Sequence, residues 1–187
     1  AKHAAWIVTG AVFDDGRQLL AALPTDLPGI TVEPPAAMVG LSATCTGAVR
    51  CNGVRLERRW LMAPVMTDVL QTSALALGTA RAAIDYLADE RRRRPDLQRV
   101  VAGLDDEWRA IDADLAALAD GETPTTPEDL RRRANGIALR AAQAALAAAK
   151  GSGYVVGHPA GRWCREALFF LVWSCPAPVT TATLCEL

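Results

Sequence analysis

The sequence predicts an α+β fold, in which a partial antiparallel β-domain is followed by an up-and-down four-helix bundle. Residues 1–63 hold short apolar and β-branched segments separated by turn residues, whereas apolar residues recur three and four positions apart from position 64 onward. Hydrophobic residues make up 51% of the 187 residues and aromatic residues only 5%, which favours closely packed helices over a bulky core. Because the composition changes at Ala63-Pro64, we predict two domains, 1–63 and 64–187.

Short strands joined by turns are predicted throughout the first domain. Turn sequences such as Asp14-Asp15-Gly16 and Pro28-Gly29 separate the apolar segments. Asn52-Gly53, a dipeptide that tolerates positive φ, indicates a further turn. The predicted strand segments are 6–9, 18–23, 30–32 and the stretch within 45–56.

A long amphipathic helix is predicted at the start of the second domain. Its apolar face is formed by Val65, Val69, Leu77, Ala80, Ile84 and Leu87. A second helix is expected from Asp96 or Asp105 to about Ala119. The last helical segment is expected over 160–171, before Pro176 and Pro178 interrupt the chain. Short loops between such helices indicate an up-and-down bundle.

The third helix has the clearest start signal in the sequence. Thr126 can accept a hydrogen bond from a free backbone N–H, and Pro127 suits the first helical position because no donor is needed there. Glu128 and Asp129 complement the positive end of the helix dipole. This helix is expected to run to about Lys150, with an alanine-rich face over 134–149 that lets a neighbouring helix approach closely.

The charge balance excludes several classes of partner. With 20 basic and 21 acidic residues, the chain has no overall field to recruit nucleic acid or an anionic membrane. No apolar run approaches the roughly 20 residues that cross a bilayer, and the first residues lack a basic segment followed by an apolar one. We expect a cytoplasmic protein with neither partner.

The cysteines and histidines do not suggest a metal site. Five cysteines, an odd number, are widely spaced without a C-x-x-C pair, and there are only two histidines. We expect reduced, mostly buried thiols and no bound metal.

Two segments at opposite ends of the chain carry a family resemblance. The start reads Lys2-His-Ala-Ala-Trp6-Ile-Val-Thr-Gly10, and a later segment reads Gly151-Ser-Gly-Tyr154, then Pro159, then Arg165-Glu-Ala167. Together with the order of strands and helices, they resemble the acyl-CoA dehydrogenase family from its middle β-domain through its C-terminal bundle. In that family the first segment reads Lys-x-x-Trp-Ile-Thr-Asn-Gly, and the later one reads Gly-Gly-x-Gly, Pro and Arg-Asp-Ala.

The resemblance implies an FAD cofactor and residues that contact it. Trp6 would line the flavin ring, and the family's hydroxyl position falls on Val8, with Thr9 next to it as a substitute. The glycine-rich turn would approach the diphosphate, since backbone N–H groups near helix ends can bind phosphate. Arg91, in the run that ends at Arg94, would reach the flavin of a neighbouring subunit. The implied contacts are Trp6, Val8, Thr9, Arg91, Gly151, Ser152 and Gly153.

Simpler explanations exist for each of these residues. Trp6 can be an ordinary core residue of a strand, and the glycine turn can simply end the third helix. The arginine run can be a solvated basic end of the first helix. The run Arg131–133 is open to the same two interpretations, solvated charge or phosphate contact.

The family's catalytic base is missing at its expected place. Counted from Arg165-Glu-Ala167, the family's glutamate position falls on Ser174, and a hydroxyl is too weak a base to take an α-proton. No other catalytic residue is predicted. Cys175 lies next to it without an obvious cationic neighbour, so we interpret it as a packing residue rather than a reactive thiol.

Three functions are compatible with this pattern. The first is part of an FAD-dependent, acyl-CoA dehydrogenase-like oxidoreductase without the usual glutamate, acting on an acyl thioester or a carrier-bound small molecule. The second is a flavin-dependent monooxygenase of the same fold, and the third is a non-catalytic oligomerisation bundle. Family members are homo-oligomers, so a dimer or tetramer is expected. The chain begins without Met, and we expect the family's N-terminal domain on a missing segment or a separate chain.

Overall fold

Residues 3–62 and 70–186 are described by the structure, which is a computed structural model. The chain divides into two compact units, Ala1–Thr67 and Asp68–Leu187. The predicted boundary at Ala63-Pro64 lies outside the described residues, as do Lys2, Val65 and Val69. The two units are described separately below.

Within residues 3–62, the first unit contains five short strands in two antiparallel sheets. Strand β1 (Trp6–Val12) pairs with β2 (Gln18–Pro24), which pairs with β5 (Leu61–Met62). The second sheet pairs β3 (Ile30–Val32) with β4 (Val49–Cys51). The small core of this unit is formed by Ala21, Leu23 and Trp60, with Ile7 packed against it.

Residues 70–186 of the second unit contain five helices, one more than predicted. They are α1 (Leu70–Glu90), α2 (Gln98–Ala119), α3 (Pro127–Ala149), α4 (Pro159–Phe169) and α5 (Ala177–Cys185). The predicted class, an antiparallel sheet followed by a helical bundle, is confirmed. Helix α5 was not predicted, because Pro176 and Pro178 were interpreted as breakers. Here Pro176 is the N-cap and Pro178 lies in the first turn, where a missing N–H is harmless.

Helix α3 is the central element of this unit. Thr126 Oγ1 accepts a hydrogen bond from the Asp129 N–H at 3.1 Å, so the predicted cap is confirmed. Helices α1, α2, α4 and α5 all pack against α3. Its small buried residues allow this close approach, namely Ala134, Gly136, Ala138, Ala141, Ala142, Ala145, Ala148 and Ala149.

The thiols are less buried than expected. Cys51 and Cys185 are exposed, and Cys45, Cys164 and Cys175 are partly exposed, so the expectation of mostly buried thiols is wrong. Across residues 3–62 and 70–186, no cluster of His, Cys, Asp and Glu could hold a metal ion. No helix in the same ranges is long and apolar enough to cross a bilayer.

Candidate functional site

Strand β1 presents an apolar face to the outside of its unit. Trp6 is 55% exposed and Val8 is 61% exposed, and they share a face because side chains alternate along a strand. Ile7 and Thr9 lie on the other face, where Ile7 packs against the small core. The interpretation of Trp6 as a core residue is therefore wrong. Val8 therefore lies on the same face as Trp6, whereas Thr9 lies on the opposite face.

The chain after α3 makes a tight turn that leaves part of its backbone exposed. Lys150 adopts a left-handed φ of 54°, and a 3₁₀ turn covers Lys150–Tyr154. The Ser152 hydroxyl donates to the Ala149 carbonyl oxygen, which ties the turn to the end of α3. Gly151 and Ser152 are exposed, and a Cβ at Gly151 would meet nothing within 4 Å. A ligand can therefore approach the backbone at Gly151 closely.

Gly153 has a different role in the same turn. It is buried, and a Cβ there would lie 2.6 Å from Leu146 Cδ1 and 3.1 Å from Ala149 Cβ. On the other side, a Cβ on Gly161 of α4 would lie 2.4 Å from the Gly153 carbonyl oxygen. The two glycines let the first turn of α4 pack directly against the turn after α3. Packing alone therefore accounts for glycine at position 153.

An exposed apolar segment follows this turn. Tyr154, Val155 and Val156 are 80%, 64% and 101% exposed. Three consecutive apolar side chains facing solvent are unusual for a loop, which commonly carries polar residues.

The arginine run at the end of α1 is divided between solvent and structure. Arg92 and Arg93 are exposed and lie 3.9 Å from Asp89 and Glu90 of the preceding turn. Arg94 instead donates to the Ala148 carbonyl oxygen at 3.3 Å, which links the ends of α1 and α3.

Arg94 also donates to Asp96 at 2.8 Å, and this hydrogen bond lowers the pKa of the Asp96 carboxyl. Arg91 is partly exposed and has no carboxylate partner within 3–62 and 70–186. The charge of Arg91 is therefore available to a ligand, as are those of the exposed and weakly paired Arg92 and Arg93.

Ser174 lies in the turn between α4 and α5. It is exposed and adopts a left-handed φ of 47°, a conformation that non-glycine residues rarely adopt. Its hydroxyl makes no hydrogen bond to His158. His158 Nδ1 accepts from the Ala160 N–H at 3.2 Å as the N-cap of α4, and its ring packs edge-on against Tyr86.

A buried polar cluster lies directly behind this turn. Arg131 is 5% exposed and donates to the carbonyl oxygens of Phe170 and Trp173, both at 3.2 Å. Asn135, one helical turn later, is fully buried and donates to the Phe170 carbonyl oxygen at 3.2 Å and to Cys175 Sγ at 3.7 Å. Burial lowers the pKa of the Arg131 guanidinium, and its interaction with Cys175 opposes that shift.

This cluster was not predicted, because Arg131–133 were interpreted as one group. Arg132 pairs with Asp129 and Glu186, and Arg133 pairs with Asp114, so these two are ion-paired rather than simply solvated. Arg131 has no carboxylate partner among the described residues. A usable signal was the spacing of Arg131, Asn135 and Ala138, which places them on one face of α3. The conclusion that Cys175 has no cationic neighbour is wrong, because Arg131 is that neighbour.

The predicted resemblance is confirmed, because the chain is similar to acyl-CoA dehydrogenases in sequence and in fold. The chain is 27% identical over 198 residues to the probable acyl-CoA dehydrogenase YngJ of Bacillus subtilis (strain 168), covering 89% of this chain and 52% of that protein. No protein-family model matches.

Solved structures show the same fold. An acyl-CoA dehydrogenase from Geobacillus kaustophilus superimposes with a TM-score of 0.81 at 16% identity, covering 98% of this chain and 57% of its own. FkbI, which serves the biosynthesis of a methoxymalonyl extender unit, gives a TM-score of 0.75 at 18% identity, with 98% and 57% coverage. The chain therefore spans little more than half the length of these relatives.

Proposed function

We propose that this chain is part of an FAD-dependent, acyl-CoA dehydrogenase-like oxidoreductase that acts on an acyl thioester or a carrier-bound small molecule. The observation that carries the proposal is the likeness to acyl-CoA dehydrogenases along nearly the whole chain, in sequence and in fold. The remaining wall of the substrate pocket comes from sequence beyond this chain, and we propose a cytoplasmic homo-oligomer.

The exposed face of β1 fits a flavin ring. Trp6 and Val8 offer an apolar, partly aromatic surface on which a planar ring can stack. When bound, the flavin accepts a hydride from the substrate. Because Thr9 is on the opposite face, β1 contributes contact area but no side-chain hydroxyl to the ring.

The turn after α3 fits a diphosphate. Gly151 has open space beside its backbone, so a phosphate can approach an N–H group there without meeting a side chain. In the proposed oligomer, Arg91 supplies a positive charge to the cofactor. Gly153 is assigned to packing rather than to the cofactor.

The turn at Ser174 does not favour ordinary dehydrogenation. That reaction needs a base at the α-carbon, and the exposed Ser174 hydroxyl makes no hydrogen bond to His158. This observation favours a second candidate, a flavin-dependent monooxygenase of the same fold, which uses reduced flavin and oxygen and needs no such base.

Absorbance spectra and intact mass of the natively purified protein test the proposal. We expect flavin bands, a cofactor mass of FAD, and weaker binding in Trp6→Ala. The matched control is Phe13→Ala, because Phe13 is similarly exposed in the turn of the same hairpin. A colourless protein that ignores added FAD, alone and with its missing half, contradicts the proposal and leaves an oligomerisation bundle.

Oxygen consumption separates the two flavin enzymes. With reduced flavin supplied, substrate-dependent oxygen uptake and an oxygenated product indicate the monooxygenase. Anaerobic bleaching of the flavin by an acyl thioester indicates the dehydrogenase-like oxidoreductase.

A further inference from the structure

Arg131 supplies hydrogen bonds that the end of α4 needs. The last carbonyl groups of a helix have no partner within it, and α4 ends at Phe169, with Phe170 as its C-cap. The Arg131 guanidinium donates to the carbonyl oxygens of Phe170 and Trp173. Neither oxygen accepts a backbone N–H among the described residues. A positive charge is favourable at the negative end of the α4 dipole, which helps to offset the burial of this guanidinium.

Asn135 contacts the same turn from one helical turn further along α3. Its side chain is fully buried, and Nδ2 donates to the Phe170 carbonyl oxygen at 3.2 Å and to Cys175 Sγ at 3.7 Å. Asn135 Oδ1 and Arg131 Nε have no partner in the described part of the chain. The hydrogen bonds that these two side chains make to described residues therefore all go to residues 170–175.

These hydrogen bonds lie on both sides of a strained residue. Trp173 and Cys175 are the neighbours of Ser174, whose φ of 47° is rare for a residue other than glycine. Such a conformation costs free energy and persists only where the surrounding contacts impose it. From α5, Thr180 Oγ1 adds a hydrogen bond to the Leu171 carbonyl oxygen at 3.2 Å. Contacts from α3 and α5 therefore fix the backbone that presents the exposed Ser174 side chain.

We infer that Arg131 and Asn135 are positioning residues, which hold residues 170–175 so that the side chain of residue 174 is presented in one fixed direction beside the substrate. This role rests on the proposed function for the place of the substrate, since the family's glutamate position falls on residue 174. Both side chains are buried, so they act through the turn and do not touch the substrate themselves.

Hydrogen exchange of the complete protein, followed by mass spectrometry, tests the hold on the turn. Arg131→Met keeps a long buried side chain without its donors, and the amide protons of residues 171–175 should exchange at least about tenfold faster, with α1 and α2 unchanged. Asn135→Ala should give a local increase of the same kind, and it decides if Arg131→Met does not fold. The control is Arg133→Met, which breaks the ion pair with Asp114 and should leave the turn unchanged.

Two outcomes of this measurement overturn the inference. The first is unchanged exchange of residues 171–175 in the folded variants. The second is an increase spread evenly over all the described helices, because that indicates a general loss of stability and no particular hold on the turn.

Flavin bleaching by an acyl-CoA in a Ser174→Glu background tests the effect on position 174. A base that is held less firmly is less often in place for proton removal. Arg131→Met should therefore lower the maximal bleaching rate about tenfold, while the acyl-CoA concentration for half-maximal rate changes less than about twofold. Arg131→Lys keeps a cationic donor near the two carbonyl oxygens and should recover most of the rate. Weaker acyl-CoA binding at an unchanged maximal rate contradicts the positioning role.

The two measurements separate this role from the proposed function. A Ser174→Glu protein that binds FAD but bleaches with no acyl-CoA counts against the proposed function. Hydrogen exchange of residues 171–175 needs neither flavin nor substrate, so it decides independently whether Arg131 and Asn135 hold the turn.

Discussion

The carbonyl oxygen of Gly153 occupies the space that a side chain on Gly161 would need. The ideal Cβ position at residue 161 lies 2.4 Å from that oxygen, far inside contact distance. The turn after α3 and the first turn of α4 therefore touch backbone to backbone. This contact fixes where α4 starts relative to the exposed Gly151, on which the diphosphate proposal depends.

Gly161→Ala should destabilise the protein. The added methyl group forces the two backbones apart, and overpacking of this kind costs about 1–3 kcal/mol. The control is Gly103→Ala in α2, where a Cβ meets nothing within 4 Å. Removing glycine from that helix should stabilise the protein by up to about 1 kcal/mol. Urea unfolding measures the change in the free energy of unfolding for both variants. Equal changes in the free energy of unfolding for the two substitutions would contradict the close backbone contact between Gly153 and Gly161.

Thr126→Ala should destabilise the bundle by about 1 kcal/mol, because it removes the acceptor for the Asp129 N–H at the start of α3. Thr126→Ser keeps the acceptor and should remain within a few tenths of a kcal/mol of the original protein. Thermal unfolding of the two variants in parallel checks the prediction. A serine variant as unstable as the alanine variant would show that the methyl group, not the hydroxyl, is responsible.

Because of Asp105, the free energy of unfolding should vary with pH in the acid range. Its hydrogen bond from Arg81 lowers the pKa of the Asp105 carboxyl below the ordinary value of 3.8, and Arg109 adds to this shift. A lowered pKa in the folded state means that the stabilisation is complete above the ordinary value and is lost as pH falls through the folded value.

Asp105→Asn should therefore cost about 1 kcal/mol at neutral pH and progressively less below pH ~4. Asp106→Asn is the control, because Asp106 is exposed on the same helix and has no ion pair among the described residues. Denaturant titrations from pH 7 to pH 3 measure both differences. A constant penalty for Asp105→Asn across that range would exclude the charge interaction as its source.

Ser174→Glu tests the missing base. In the complete protein, a carboxylate at this position should permit α-proton removal, so flavin bleaching by an acyl-CoA should appear or increase by at least about tenfold. Ser174→Gln has nearly the same shape without the base and should show no gain. Strong bleaching in the unmodified protein, retained in a Ser174→Ala variant, would rule out our interpretation of this position.

The elements that local chemistry determines were predictable from sequence. The Thr126 cap and the segments around β1 to β3 depend on residues within a few positions of one another, and the structure has them where predicted. Helix α5 was missed because a proline can either break a helix or start one, and only the chain around it decides.

The burial of Arg131 could not be predicted in the same way. Its acceptors, the carbonyl oxygens of Phe170 and Trp173, lie about 40 residues later in the chain. The spacing places Arg131 on the face of Asn135 and Ala138, but it does not show that the later chain covers this face. The partners of Arg132, in contrast, include the adjacent Asp129. Likewise, Trp6 could be assigned to a strand from its neighbours, but its face could be assigned only when the core of the β unit was known.

The central place of α3 has a consequence for how the helical unit unfolds. Because α1, α2, α4 and α5 all pack against it, loss of α3 removes a supporting surface from every other helix at once. The amide protons of α3 should therefore exchange with solvent only through global opening of the unit. Helix α5 has only nine residues and packs against α3, so it can open alone and its protons should exchange earliest. The helical unit would then behave as one cooperative block with a single loosely attached edge.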